Sequence, residues 1–417
     1  MADRWLDLAP KPDELPAGKD WHVFLSYRSV NRPWVLALYD VLHLIGYKVF
    51  LDQYVLTAAA PLAIALGDAL DASLGAIMIW SGFYEDSEWC KQEFAKLETT
   101  QNQKRGFRYV IARIDESEIA GLAATKLWID FSNQREGPSG SGLLSLLYGL
   151  KGEPLSPAAV KLAAEVDAQM RDGLSSVRAA RDAIDADALL ALAETDDMAW
   201  AGSPLLQCLV AEGLIAMKKI AEAITVLDRV EAAFPKALRP KQLRGLALAR
   251  SGQTTKAQLL LGKLYAAGEI DPETLGILAR TWMDRYNQSG EQVFLLKSRD
   301  LYRQAFEAYP TDYYSGINAA LKSLLAGEKE TAAQIAARVQ KVVGNTVGKD
   351  YWTTATAAEL QLLQSKFSEA AALYRAAVVM APGDRGSHES THAQAKLLLQ
   401  AVGASEVQRA LIDAAFL

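Results

Sequence analysis

A carboxylate, two aromatic rings and several small polar residues stand close together in the stretch Ser81, Tyr84 and Ser87-Glu88-Trp89-Cys90-Lys91-Gln92-Glu93. Trp89 precedes Glu93 by about one helical turn, so both side chains leave one face of a helix. A carboxylate beside such a wall can hold hydroxyl groups and stabilise a positive charge that develops during bond cleavage. The spacing alone equally describes an exposed glutamate in a surface ion pair and a tryptophan packed on a sheet. Cys90 reads as a small buried hydrophobe rather than a nucleophile, because no histidine lies near it in sequence to activate a thiolate.

Two other groupings resemble chemical motifs. His388-Glu389-Ser390-Thr391-His392 matches the pattern that puts two imidazoles and a general base on one helix face for zinc hydrolysis. No histidine follows it as a third ligand, and Glu406 is rather close to serve. Gly344, Gly348 and Lys349 look like a phosphate loop, but one intervening residue is missing and Asp350 replaces the hydroxyl that would hold magnesium. That segment reads as a loop between helices. No metal site and no bound cofactor are expected.

These residues belong to a chain of 417, half of them apolar and 23% charged, with a net charge of −6. Such a balance suits a folded protein of two or three domains, and excludes wholesale disorder and a globally basic nucleic-acid binder. The two cysteines, Cys90 and Cys208, and four histidines exclude a disulfide framework or a thiolate zinc cluster, so a reducing cytoplasm is the expected compartment. The longest apolar runs, such as residues 74–80, fall far short of the roughly eighteen needed to span a bilayer, so no membrane partner is expected. The acidic, proline-bearing residues 1–19 read as a flexible leader without signal-peptide character.

Residues 20–132 alternate short apolar runs with helical patterns. Strands are predicted at 21–27, 47–52, 76–81, 108–114 and 126–131, and helices at 33–44, 61–73 and 87–100, with Asn31 available as an N-cap. This is the rhythm of a parallel sheet with helices on both faces, whose ligands bind beyond the carboxyl ends of the strands. Residues 26–31, 52–60 and 81–93 occupy those ends. Residues 137–142 (GPSGSG) and 152–157 read as flexible breaks.

Beyond them the chain reads as helix throughout. Ala223 and Leu227 recur thirty-four residues later as Ala257 and Leu261, the period of a two-helix tetratricopeptide unit. The pattern Ser298, Tyr302, Ala305, Pro310 returns as Ala370, Tyr374, Ala377, Pro382, and 312–325 with 329–343 forms another pair. Stacked pairs of this kind build a solenoid with a concave surface.

Two family resemblances rest on these residues. Val23-Phe24-Leu25-Ser26-Tyr27-Arg28, then Val49-Phe50-Leu51-Asp52, then the block from Ser81 to Glu93, in that order, resemble a Toll/interleukin-1 receptor (TIR) domain of the NAD+-cleaving type. Gly276-Ile277-Leu278-Ala279-Arg280, Tyr313-Tyr314-Ser315-Gly316-Ile317-Asn318 and Asp350-Tyr351-Trp352 resemble the helical-repeat, TRAF-binding-type region of apoptosis signal-regulating kinases. The fold then expected is α/β followed by all-α: a flavodoxin-like, parallel five-stranded sheet over 20–150 and a TPR-like α-solenoid over 151–417.

The first resemblance implies an NAD+ glycohydrolase with Glu93 as catalytic residue. Nicotinamide leaves as a neutral molecule, so no general acid is needed. Phe24, Tyr27, Arg28, Trp89 and Ser81 are the implied substrate-binding residues, with Trp89 as a wall, Phe24 and Tyr27 as floor, and Arg28 on phosphate. It also implies self-association through TIR domains, controlled by the repeat region, in immune or cell-death signalling, with a possible protein partner on the repeats. Residues 57–61 (TAAAP) lack the glycine many such domains place in the loop that mediates assembly. The rival readings are a non-enzymatic adaptor that docks partners, and a metal hydrolase using His388 and His392.

Overall fold

The computed structural model describes residues 9–28, 31–51, 62–85, 88–119, 121–134, 137–235, 237–310, 312–344, 347, 348, 350–381 and 385–416. It divides into two compact units, Met1–Arg244 and Gly245–Leu417.

The first unit begins with β1 (Trp21–Ser26), α1 (Arg32–Ile45), β2 (Val49–Phe50), α2 (Leu62–Asp71) and β3 (Ser73–Trp80). The short α3 (Gly82–Glu85), α4 (Glu88–Gln103), β4 (Arg108–Arg113) and β5 (Trp128–Asp130) follow. The strands form one parallel sheet in the order β2-β1-β3-β4-β5, with Val23 opposite Val49 and Ser26 opposite Met78. This is the flavodoxin-like order, in which the chain reverses its direction of growth between β1 and β3.

Alternation sorts the side chains onto two buried faces. Phe24, Ala76, Met78, Trp80, Tyr109 and Ile111 face one side, where Leu66 and Leu70 of α2 and Leu97 of α4 complete the core. The other face is covered in part by α5 (Gly140–Lys151), which packs on β4 and β5. Its Leu143, Leu144, Leu146 and Leu147 are at most 1% exposed.

That helix corrects an expectation. Residues 137–142, read as a flexible break, are mostly buried and open α5. Their glycines serve close approach. A Cβ on Gly142 would lie 2.7 Å from the Phe131 ring. Gly140, at φ +55°, passes directly under Asp167, whose carboxylate accepts from the Ser141 backbone N–H at 3.1 Å and also from the Ser141 hydroxyl. Asp167 thereby satisfies the free start of α5.

Of residues 1–19, those described from position 9 onward are tied to the sheet domain. The Tyr47 hydroxyl donates to the Pro10 carbonyl at 2.8 Å, Lys151 pairs with Asp13 at 2.7 Å, and Lys19 Nζ donates to the carbonyls of Asp71 and Ser73 at 2.7 and 2.6 Å.

The first unit continues through α6 (Pro157–Asp182), α7 (Ala186–Ala193), α8 (Met198–Ala201), α9 (Leu205–Ala216) and α10 (Ile220–Ala233), and the division falls within α11 (Leu238–Arg250). Residues 153–156 form no regular element, and Ser156 caps α6 by accepting from the Ala159 N–H.

In the second unit α12 (Thr254–Ala266) precedes three antiparallel pairs: α13 (Pro272–Ser289) with α14 (Gln292–Ala308), α15 (Tyr313–Leu325) with α16 (Lys329–Val343), and α17 (Tyr351–Leu363) with α18 (Phe367–Met380). It closes with α19 (Arg385–Ala401) and α20 (Glu406–Asp413). Asp271, Asp312 and Asp350 each cap the first helix of a pair through a side-chain carboxylate. Capping is therefore the role of Asp350. The repeat positions named from the sequence are core: Ala223, Leu227, Ala257, Leu261, Ala305, Ala370 and Tyr374 are all 0% exposed.

Candidate active site

The carboxyl ends of β1 and β3 bring five polar side chains, Ser26, Tyr84, Glu93, Asn31 and Ser81, together at the point where strand order reverses. Ser26, the last residue of β1, is 1% exposed, and its hydroxyl donates to Glu93 Oε2 at 2.6 Å. The Tyr84 hydroxyl, 2% exposed, lies 2.8 Å from the same Ser26 oxygen. A carboxylate only accepts, so Ser26 spends its proton on Glu93 and Tyr84 donates to Ser26. Tyr84, held by its backbone N–H on the Ser81 carbonyl at 2.8 Å and by its ring stacked on Trp80, is thus the fixed end of a directed relay toward Glu93.

Ser81 follows β3 directly and is 1% exposed. Its hydroxyl accepts from Asn31 Nδ2 at 2.6 Å, which ties the loop after β1 to the loop after β3. Asn31 makes no side-chain cap on α1, contrary to expectation. At φ −91° and ψ 6° its backbone lies outside the extended region that capping residues adopt. On the far side of Ser81 the Gly82 N–H donates to Asp115 at 2.9 Å, which fixes the turn into α3.

The sequence-derived site residues fall into three groups. Glu93 and Ser81 come together at the strand ends, and Tyr27 and Arg28 follow β1 at the same edge, half-buried, with the Arg28 carbonyl accepting from the Asn31 N–H at 2.8 Å. Phe24, expected as pocket floor, is instead a core residue: 2% exposed, with its ring stacked on Phe50 at 5.2 Å. Two residues before Ser26 and on the same sheet face, it lies deeper along the strand, among the core side chains Phe50, Ala76 and Met78. Trp89 lies in the first turn of α4, but its side chain, that of Cys90, and residues 52–61 lie outside the described residues.

Ser26, Asn31 and Tyr84 were not singled out as site residues. A signal existed for Ser26, the polar residue that closes an otherwise apolar parallel strand. None existed for Asn31, whose type and position suit a helix cap equally well.

The other candidates resolve differently. His392 Nε2 bonds Asp413 at 2.6 Å and its ring stacks on Phe416, whereas the His388 ring stacks on Tyr351. Among the described residues no group of three or more His, Cys, Asp or Glu side chains is placed to hold a metal ion. Cys208 is buried, and burial pushes its thiol up to about 12, which leaves it protonated and unreactive. No helix among the described residues is long and apolar enough to cross a membrane.

Comparison with known proteins identifies two families along the chain. Residues 23–145 match the model of the TIR domain, and residues 219–325 match that of the Tetratricopeptide Repeats-Sensor family. No curated protein matches the chain. Among solved structures, a thermophilic TPR protein of Thermus thermophilus is 17% identical at a TM-score of 0.37, covering 45% of this chain and 96% of its own. The human IFIT1 dimer with m7Gppp-AAAA is 11% identical at a TM-score of 0.39, covering 100% of this chain and 99% of its own. Those scores are too low to argue from. The chain joins a TIR domain to a tetratricopeptide-type helical-repeat region.

Proposed function

We propose that the chain cleaves NAD+ at the nicotinamide–ribose bond, with Glu93 as the catalytic carboxylate. The observation that carries this reading is the Glu93 carboxylate at the β1/β3 reversal, oriented by the Ser26 hydroxyl at 2.6 Å. Doubly wound sheets bind ligands at that crevice, and TIR domains include NAD+-cleaving enzymes.

In this reading Glu93 holds the ribose hydroxyls and stabilises the cationic sugar. The C–N bond breaks with its electron pair leaving on nicotinamide, which departs neutral, so no acid is required. Water then attacks the sugar carbon and releases a proton, which gives ADP-ribose; attack by an adenine nitrogen of the same molecule gives a cyclic isomer. Tyr27, Arg28 and Ser81 contact the substrate at the strand ends, Arg28 on phosphate, with Trp89 as a wall.

We further propose that residues 1–19, 20–150 and 151–417 act as leader, TIR domain and regulatory solenoid in a cytoplasmic signalling protein of immunity or cell death. Self-association of TIR domains, into filaments or smaller oligomers, switches the enzyme on under control of the repeats.

The test is nicotinamide release from NAD+, followed against protein concentration together with particle size, for wild type and Glu93→Ala. Release by wild type in its assembled state, reduced at least about a hundredfold in the variant, supports the assignment. Equal release by both overturns it. Absence of release in every assembled state leaves the adaptor reading, in which the TIR and repeat surfaces dock partners.

A further inference from the structure

A hollow of about 500 Å³ opens on the second unit, between the start of α12 and the last turns of α13. That volume is ample for a small molecule. Gln253, Thr254, Thr255 and Lys256 line it from the start of α12, and Arg285 and Gln288 from α13. Among the described residues that line it none is acidic, aliphatic or aromatic. Ligand pockets are mostly apolar with a few polar groups, so this one suits a molecule that is polar all round.

Charge in the hollow is held in place but not neutralised. Arg285 reaches from α13 to α12, where its Nε donates to Gln258 Oε1 at 2.9 Å and its Nη2 to Thr255 Oγ1 at 3.0 Å. Its guanidinium also lies 5.8 Å from the centre of the Phe294 ring. All three partners are neutral. A guanidinium has five N–H donors; these two bonds engage two of them, and the other three meet no acceptor among the described residues. Lys256 donates to Gln253 Oε1 at 2.9 Å, again a neutral group. Neither cation has a carboxylate within ion-pair distance among the described residues. Holding Arg285 this way leaves Gln258 Nε2 shut off from water without an acceptor, an arrangement that stability alone does not favour. Gln253 makes no side-chain cap on α12, so the positive start of that helix adds to the field of the two cations.

We propose that this hollow binds the phosphate ester of a small sugar or polyol. The phosphate dianion meets the planar fork of Arg285 and the compact charge of Lys256. Thr255, whose oxygen accepts from Arg285, keeps its own proton for a phosphate oxygen. The Thr254 hydroxyl and the Gln288 carboxamide both donate and accept, which suits the hydroxyl groups of the ligand body. Free phosphate fills only a fraction of the volume, and a nucleobase finds no aromatic or aliphatic wall to stack on. The site lies in the repeat unit, and its test does not depend on NAD+ cleavage.

The experiment is isothermal titration of the full chain with glucose 6-phosphate, ribose 5-phosphate and glycerol 3-phosphate, beside inorganic phosphate, glucose and AMP. It is run at pH 7.5 and constant ionic strength set by chloride. Saturable binding of at least one of the three esters, tighter than that of inorganic phosphate, glucose and AMP, and weakened at least about fivefold by Lys256→Gln and by Arg285→Gln, supports the site. Absence of binding by all three esters overturns the proposal. So does equal or tighter binding of inorganic phosphate, glucose or AMP, and so does a smaller loss in either folded variant. Lys256 is exposed and its one hydrogen bond goes to nearby Gln253, so Lys256→Gln folds and decides the question even if Arg285→Gln does not.

Discussion

Ser26 and Glu93, sixty-seven positions apart, are joined by a 2.6 Å hydrogen bond that links the end of β1 to α4. The serine is buried and its oxygen accepts a hydrogen bond from Tyr84, so Glu93 is positioned from inside the sheet rather than by surface partners alone. Removal of the donor in Ser26→Ala is expected to lower nicotinamide release about tenfold, the scale of one hydrogen bond to a charged group. In the relay Tyr84 acts through Ser26, so the double variant Ser26→Ala/Tyr84→Phe is expected to be no worse than Ser26→Ala alone. Additive losses in the two single variants would refute the relay.

Asn31 ties two loops and does not cap α1. Asn31→Ala is expected to cost about 1 kcal/mol in a denaturant titration, the net worth of a typical hydrogen bond. Serine is as good a cap as asparagine but too short to reach Ser81 from the same backbone, so Asn31→Ser is expected to be no more stable than Asn31→Ala. Full rescue by serine contradicts the tether.

Glycines at the start of α5 are there for contact. Gly142→Ala puts a Cβ 2.7 Å from the Phe131 ring and is expected to destabilise by about 1–3 kcal/mol, the cost of overpacking. Gly262 lies within α12 with nothing within 4 Å of a new Cβ, so Gly262→Ala is expected to stabilise by roughly 0.5–1 kcal/mol. Thermal melts of the two variants should move in opposite directions.

The Lys322–Glu359 region imposes a pH dependence whose sign follows from burial. In the unfolded chain Glu359 titrates near 4.5, and in the fold burial raises it to about 7. Between those values the native chain keeps a proton that the unfolded chain has lost, so stability falls as pH rises through the window. Lys322 works in the opposite sense: from about 8 up to 10.5 the native chain has already lost its proton, and stability recovers as pH rises. Glu359→Gln is expected to remove the fall between about 4.5 and 7, on the order of 1–3 kcal/mol, and to keep the alkaline limb. Urea midpoints at pH 5 and pH 7.5 measure it, and an unchanged acid-side slope in the variant counts against it.

Element types were legible because they depend on local periodicity. Apolar runs at 21–27 and 108–114 became β1 and β4 within a residue, since a strand buried on both faces has no other composition open to it. The pattern Ser298, Tyr302, Ala305, repeated at Ala370, Tyr374, Ala377, became the second helices of two antiparallel pairs, because small residues at fixed offsets are what close helix packing demands. Residues 137–142 were misread because glycine chosen for flexibility and glycine chosen for contact are the same letter. Only Phe131 and Asp167, distant in sequence, decide between them.

The site divides in the same way. The candidate carboxylate, Glu93, was nameable from its block, because the residue types and their order carry that information. Ser26, Tyr84 and Asn31 became its surroundings only when parallel pairing of β1 with β3 set the two strand ends side by side. Strand order, and the burial of Lys322 out of ion-pair reach of the described acids, belong to the tertiary structure, because they arise from contacts between segments with no pattern in common.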